Sequence, residues 1–137
     1  MFRVSCIQLK SNNNILHNLK KTEKFISKAV KQKSDFILTP EISSLFLLEK
    51  KKLLKICKSM KEDIYLNGIK KLAKKHKKWI LVGSLITKVT KNKLVNRSVL
   101  VDKTGKIRTF YDKIHMYDAA LSKKEKYFES KTFSAGK

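Results

Sequence analysis

The order of apolar and polar positions divides the chain into recognisable elements. Phe2 to Leu9, with Val4, Cys6 and Ile7 among its apolar positions, predicts a strand. Asn12-Asn13-Asn14 supplies turn and N-cap chemistry. From Asn14 to Lys33, the residues Leu16, Leu19, Ile26, Ala29 and Val30 recur at helical spacing and predict an amphipathic helix. Asp35-Phe36-Ile37-Leu38 is a short apolar run stopped by Thr39-Pro40. This strand–helix–strand order predicts a βαβ unit with parallel strands. Leu45 to Met60 predicts a partly helical segment with Leu53, Leu54, Cys57 and Met60 on one face. Glu62 to Lys77 predicts a further helix through Ile64, Ile69, Leu72 and Ala73. Trp79-Ile80-Leu81-Val82-Gly83-Ser84 is continuously apolar at its start, the pattern of a strand covered on both faces. Asn96 to Asp102 predicts a fourth strand, and Ile107 to Tyr111 its hairpin partner across the Thr104-Gly105 turn. Beyond Asp112 the pattern reads as loop to Lys137. The whole predicts an α/β fold with a sheet flanked by helices.

At 137 residues the chain fits one domain. Its 42% apolar and 9% aromatic content, with one Pro and four Gly, excludes fibrous and low-complexity classes. No apolar run approaches the roughly 18 residues of a membrane span. The N-terminus alternates rather than forming a signal-peptide core, so a soluble cytoplasmic protein is expected.

Charge complicates this picture. The 33 Lys and Arg against 11 Asp and Glu give a formal net charge of +22, as in proteins that bind nucleic acid. Yet only Arg3, Arg97 and Arg108 are arginines, and the lysines are spread along the chain on what read as solvated helix faces. Specific nucleic-acid recognition is therefore not expected. A basic, non-catalytic module that binds nucleic acid or an anionic surface remains the alternative to an enzyme. Cys6 and Cys57 show neither metal-ligand spacing nor a disulfide framework and are expected as free thiols, Cys6 buried in the first strand.

Ligands of open α/β sheets lie beyond the carboxyl ends of the strands. Glu41 follows one strand and Lys113 another, so the two project into one crevice if those strands are parallel neighbours. A carboxylate sheltered by Pro40 and Ile42 suits a general base, and a nearby ammonium could hold an oxyanion. A plain ion pair at a sheet edge has the same spacing.

Thr39-Pro40-Glu41, then Asn96-Arg97-Ser98-Val99-Leu100-Val101-Asp102, then Tyr111-Asp112-Lys113-Ile114-His115-Met116-Tyr117-Asp118 and Glu129 to Gly136, form an ordered series along the chain. This series resembles the nitrilase superfamily of carbon–nitrogen hydrolases, in its N-terminal half. The wording around Lys113 and Glu129 looks most like the branch of omega-amidases and deaminated-glutathione amidases. The resemblance implies part of an α-β-β-α sandwich, with residues 1–137 a partial hydrolase domain truncated before the elbow that carries the nucleophilic Cys. It implies Glu41 as general base, Lys113 as the cation on the tetrahedral intermediate, and Glu129 as a further glutamate positioning Lys113 and substrate. It implies hydrolysis of a small carboxamide through a Cys thioester, without metal or organic cofactor. Neither Cys6 nor Cys57 matches the nucleophile by position, so the isolated chain is expected to be inactive. A separately encoded C-terminal half and a family-like homodimer are the partners this implies, and an uncovered sheet face is its structural consequence. His115 is expected to steer the Lys113 loop, Asp118 to anchor it through backbone bonds, and Asp112 to be solvated. Trp79 is expected in the core, with Tyr111 and Phe133 packed or lining a pocket.

Overall fold

The computed structural model describes residues 1–122 and 125–137. Its main sheet has five strands in the order β1 (Val4–Cys6), β2 (Phe36–Leu38), β3 (Trp79–Thr90), β4 (Lys93–Val101) and β5 (Ile107–Asp112). The helices are α1 (Ile15–Lys31), α2 (Lys50–Ile56) and α3 (Ile64–His76). β1, β2 and β3 are mutually parallel, whereas β3–β4 and β4–β5 are antiparallel. β5 therefore points the same way as β2, with two strands between them. The carboxyl ends of β2 and β5 emerge at one end of the sheet although the strands are not neighbours, so the condition set for Glu41 and Lys113 to share a crevice is met in direction but not in adjacency.

The segment after Asp112, expected as loop, contains a small antiparallel sheet of β6 (Asp118–Ala120) and β7 (Lys126–Phe128), followed by a 3-10 turn at Glu129–Lys131. Lys123 and Lys124, within the stretch read as loop, lie outside the described residues.

Local chemistry fixes the helix ends. The Asn14 side chain accepts from the His17 amide at 2.9 Å and starts α1. The Asp63 side chain accepts from the Leu66 amide at 2.7 Å and starts α3, which ends on Lys77 in the left-handed region. α1 buries Asn18, Thr22, Ile26 and Ala29, packs Ile15 and Leu19 against the core and leaves Leu16 exposed, so its inner face includes two polar residues and not Leu16. Both polar residues are satisfied: Asn18 donates to the carbonyls of Asn12 and Ser44, and Thr22 meets the Tyr65 hydroxyl at 3.0 Å.

Registered rows across the sheet separate its two faces. Ile37, Ile80 and Val101 occupy one row, and all three are buried under α1 and α3 with Ile26, Tyr65, Leu66 and Ile69. The opposite face carries Val4, Phe36 and Trp79 in one row and Cys6, Leu38, Leu81 and Leu100 in the next. None of these seven is fully buried, and Val4 and Cys6 are exposed. Two expectations are corrected. Over residues 79–82 β3 is covered on one face only, whereas residues 84–87 are all buried, and Cys6 is an exposed thiol, because no second layer of described residues lies over that first part of the face. The expected one-sided cover of the sheet therefore holds for that part of it.

A second core gathers Leu45, Leu53, Cys57, Ile86, Leu94 and Phe133. Met60 lies beyond the end of α2 and packs on the first core, so it does not share a face with Leu53 and Cys57. Asp112 is not solvated: both of its oxygens accept from Arg97, at 2.6 and 2.7 Å, and the guanidinium lies 4.0 Å over the Phe110 ring. This pair ties β4 to β5 immediately before Lys113.

Candidate active site

The path of the chain after β2 brings distant strand ends together. The Thr39 amide donates to the Leu81 carbonyl, the Ser84 amide to the Pro40 carbonyl and the Ser43 amide to the Ser84 carbonyl, at 3.0, 3.1 and 3.0 Å. Residues 39–43 thus run over β3 at Gly83, where a Cβ would sit 1.8 Å from the Thr39 carbonyl oxygen. The ladder between β3 and β4 is irregular at the same place, between Val82 and Leu85. This crossing delivers Glu41 from the end of β2 to β4, above Asn96.

Lys113 comes from the other side. Its amide continues the β4–β5 ladder by donating to the Asn96 carbonyl at 2.9 Å, and its carbonyl accepts from the Gly136 amide at 3.0 Å. Its ammonium donates to Glu41 Oε1 at 3.0 Å and to Glu129 Oε2 at 2.8 Å. Glu129 opens the 3-10 turn after β7, and the same Oε2 accepts from the Tyr117 amide at 2.7 Å. The three residues singled out in the sequence therefore meet.

Their surroundings differ. The Glu41 side chain is 56% exposed and the Glu129 side chain 13%. Glu41 is not sheltered by Pro40 and Ile42 as expected; its partners are Lys113 and Asn96. Partial burial pushes the Glu129 carboxyl up. The hydrogen bonds from Lys113 and the Tyr117 amide, with the Lys113 charge, outweigh burial and hold it below its ordinary value. Burial likewise opposes the Lys113 charge, but bonding to Glu129 and Glu41 raises its pKa overall. A lowered carboxyl adds stability that is present above the ordinary value of 4.5 and fades as pH falls through the lowered one. A raised ammonium adds stability that is present below 10.5 and fades as pH rises through the raised value. The ionised Lys113–Glu129 pair is thus favoured throughout the neutral range.

The ring faces a cavity of about 530 Å³, whose opposite wall is apolar and includes Phe46, Leu47, Phe128 and Phe133. Phe133 is also core, whereas Tyr111 lies outside this cavity. Trp79 is half-buried on the uncovered sheet face. Asp118 accepts from the Ser130 amide at 3.0 Å and so anchors the turn that carries Glu129. His115 is exposed, and the bonds that hold Lys113 come from Glu41, Glu129, Asn96 and Gly136.

One site residue carried no role in the sequence reading. Asn96 is buried, and its Nδ2 donates to Glu41 Oε1 at 2.7 Å and lies 3.4 Å from Glu129 Oε1. Its sequence signals are its place in the Asn96–Asp102 motif and a polar amide in a strand otherwise rich in Val and Leu.

The thiols lie apart from this ring. Cys57 sits in the second core, where burial foremost, and then the Asp63 charge, push its pKa up to about 12. Cys6 is on β1, at the far edge of the sheet from β4 and β5. Among the described residues no group of three or more His, Cys, Asp or Glu side chains is arranged to hold a metal ion, and no helix is long and apolar enough to cross a membrane.

Comparison with known proteins agrees with this geometry. The chain is 26% identical over 136 residues to the nitrilase and fragile histidine triad fusion protein NitFhit of Caenorhabditis elegans, covering 97% of this chain and 30% of that protein. It is 28% identical over 136 residues to the deaminated glutathione amidase of Yersinia enterocolitica, covering 97% of this chain and 47% of the enzyme. The chain thus spans about half or less of the length of the curated relatives it matches. Its structure superposes on crystalline C. elegans NitFhit with a TM-score of 0.85 at 25% identity, covering all of this chain and 34% of that one. It also superposes on an amidase from Nesterenkonia sp. AN1 with a TM-score of 0.82 at 17% identity, covering 50% of that chain; acrylamide is seen there added at the active-site cysteine. The carbon-nitrogen hydrolase model matches residues 3–137, and with that match the chain belongs to the carbon-nitrogen hydrolase family.

Proposed function

We propose that this chain is the N-terminal part of an amidase-type carbon–nitrogen hydrolase and provides its Glu41, Lys113 and Glu129. The observation that carries this reading is the convergence of two carboxylates on one ammonium at the floor of a single cavity. The substrate is a small carboxamide, of the kind handled by omega-amidases and deaminated-glutathione amidases. The attacking thiol comes from a cysteine other than Cys6 and Cys57. Glu41 takes the proton from that thiol as sulfur bonds to the carbonyl carbon and the carbonyl π pair moves to oxygen. Lys113 stabilises the resulting oxyanion, and Glu129 holds Lys113 in place. The C–N bond then breaks, and the proton on Glu41 leaves with ammonia. Water hydrolyses the thioester to the acid and restores the thiol.

The uncovered face bearing Trp79, Leu81 and Leu100 is where a second layer of the domain packs. Further polypeptide, or a separately encoded C-terminal half, supplies that layer, and the completed domain pairs as a homodimer. We place the activity in the cytoplasm, where thiols stay reduced.

Ammonia release from small carboxamides tests this reading. Residues 1–137 alone are expected to release none. Co-expression with the segment encoded directly after Lys137 is expected to give turnover that drops at least about 100-fold on Glu41→Gln. Turnover by the chain alone, lost on Cys6→Ala or Cys57→Ala, would overturn the reading.

A further inference from the structure

Asn96 touches all three residues of the ring. Its Nδ2 donates to Glu41 Oε1 at 2.7 Å and reaches Glu129 Oε1 at 3.4 Å, and its main-chain carbonyl accepts from the Lys113 amide at 2.9 Å. Lys113 Nζ bonds the same two carboxylates from the other side, at 3.0 and 2.8 Å. Four side chains thereby close a ring: each carboxylate meets one N–H from a cation and one from a neutral amide. One ammonium balances only one of the two negative charges, so something else must hold the carboxylates at a fixed separation. A second cation there would neutralise Glu41 and weaken it as a proton acceptor. A carboxylate would add a third negative charge, and an aliphatic side chain would supply no donor. A carboxamide offers two N–H groups without charge, and at 2% exposure water does not compete for them.

We propose that Asn96 is a positioning residue that sets the spacing of Glu41 and Glu129 about Lys113. Its catalytic consequence rests on the reading of Glu41 and Lys113 given above, but the ring itself is testable without turnover. The experiment is a pH titration of the 137-residue chain by NMR, following the Glu side-chain carboxyl carbons and the Asn96 amide group. In the unmodified chain the Asn96 Nδ2 resonances are expected to shift in step with the titration of Glu129. In Asn96→Leu the Glu129 midpoint is expected to rise, because the amide bond that helps to hold it down is lost. In Asn96→Asp a third, coupled carboxyl is expected to titrate above the ordinary aspartate range. A role confined to packing would destabilise these variants without moving the midpoints. Unchanged midpoints in folded variants would overturn the proposal. Asn96 resonances that ignore the carboxyl titration would also overturn it, and that measurement needs no variant. If Asn96 follows the Glu129 titration while the co-expressed enzyme remains inactive, the hydrolase reading fails and this one stands.

Discussion

Replacing Gly83 with alanine is expected to take the site apart while leaving most of the sheet in place. The added Cβ would lie 1.8 Å from the Thr39 carbonyl oxygen, 2.9 Å from its carbon and 3.1 Å from the Pro40 carbonyl carbon. All three are backbone atoms, so no side chain can swing aside to relieve the contact. The crossing segment must lift from β3, breaking the bonds of Pro40 and Ser43 to Ser84 and carrying Glu41 away from Lys113 and Asn96. Overpacking of this kind costs roughly 3 kcal/mol. Urea unfolding of Gly83→Ala should show that loss. An unfolding midpoint equal to that of the unmodified chain would show that Thr39–Pro40 does not cross β3 as described.

Replacing Lys113 with methionine keeps the apolar stem and removes the charge, and the expected loss is larger in activity than in stability. Two carboxylates would then face each other with only the Asn96 amide between them. Burial, which now loses to the ammonium at Glu129, would go unopposed by it, so the Glu129 carboxyl should move up from its lowered position. The stability contributed by Glu129 should begin to fade at a higher pH on acidification than in the unmodified chain. In the co-expressed enzyme, kcat for a carboxamide should fall about 100-fold to 1,000-fold, the scale of removing one oxyanion donor. A variant with unchanged kcat and an unmoved Glu129 titration would remove Lys113 from the chemistry.

That Glu41 and Lys113 each follow a strand is visible in the sequence, and in the structure those strands run the same way. The route by which they meet is not visible in the sequence. β2 and β5 are separated by β3 and β4, and the bridge is a backbone crossing that only the missing side chain of Gly83 permits. Asn96 lies inside a motif recognised in the sequence, yet a single amide in an apolar strand carries no sign of what it bonds. Asp112 looked solvated because its partner Arg97 lies fifteen positions earlier and meets it only through the β4–β5 register. β6 and β7 have three residues each, too few for an alternating pattern to stand out. Cys6 looked like a core thiol because its strand is apolar, but strand periodicity does not reveal whether a face has a cover.

Intact-mass and peptide spectra of the co-expressed enzyme, quenched in acid during turnover of a small carboxamide, probe the account at its centre. An acyl group is predicted on a cysteine outside residues 1–137, and it should be absent from the Glu41→Gln protein. An acyl group on Cys6 or Cys57, or hydrolysis that persists unchanged without Glu41, would contradict the account.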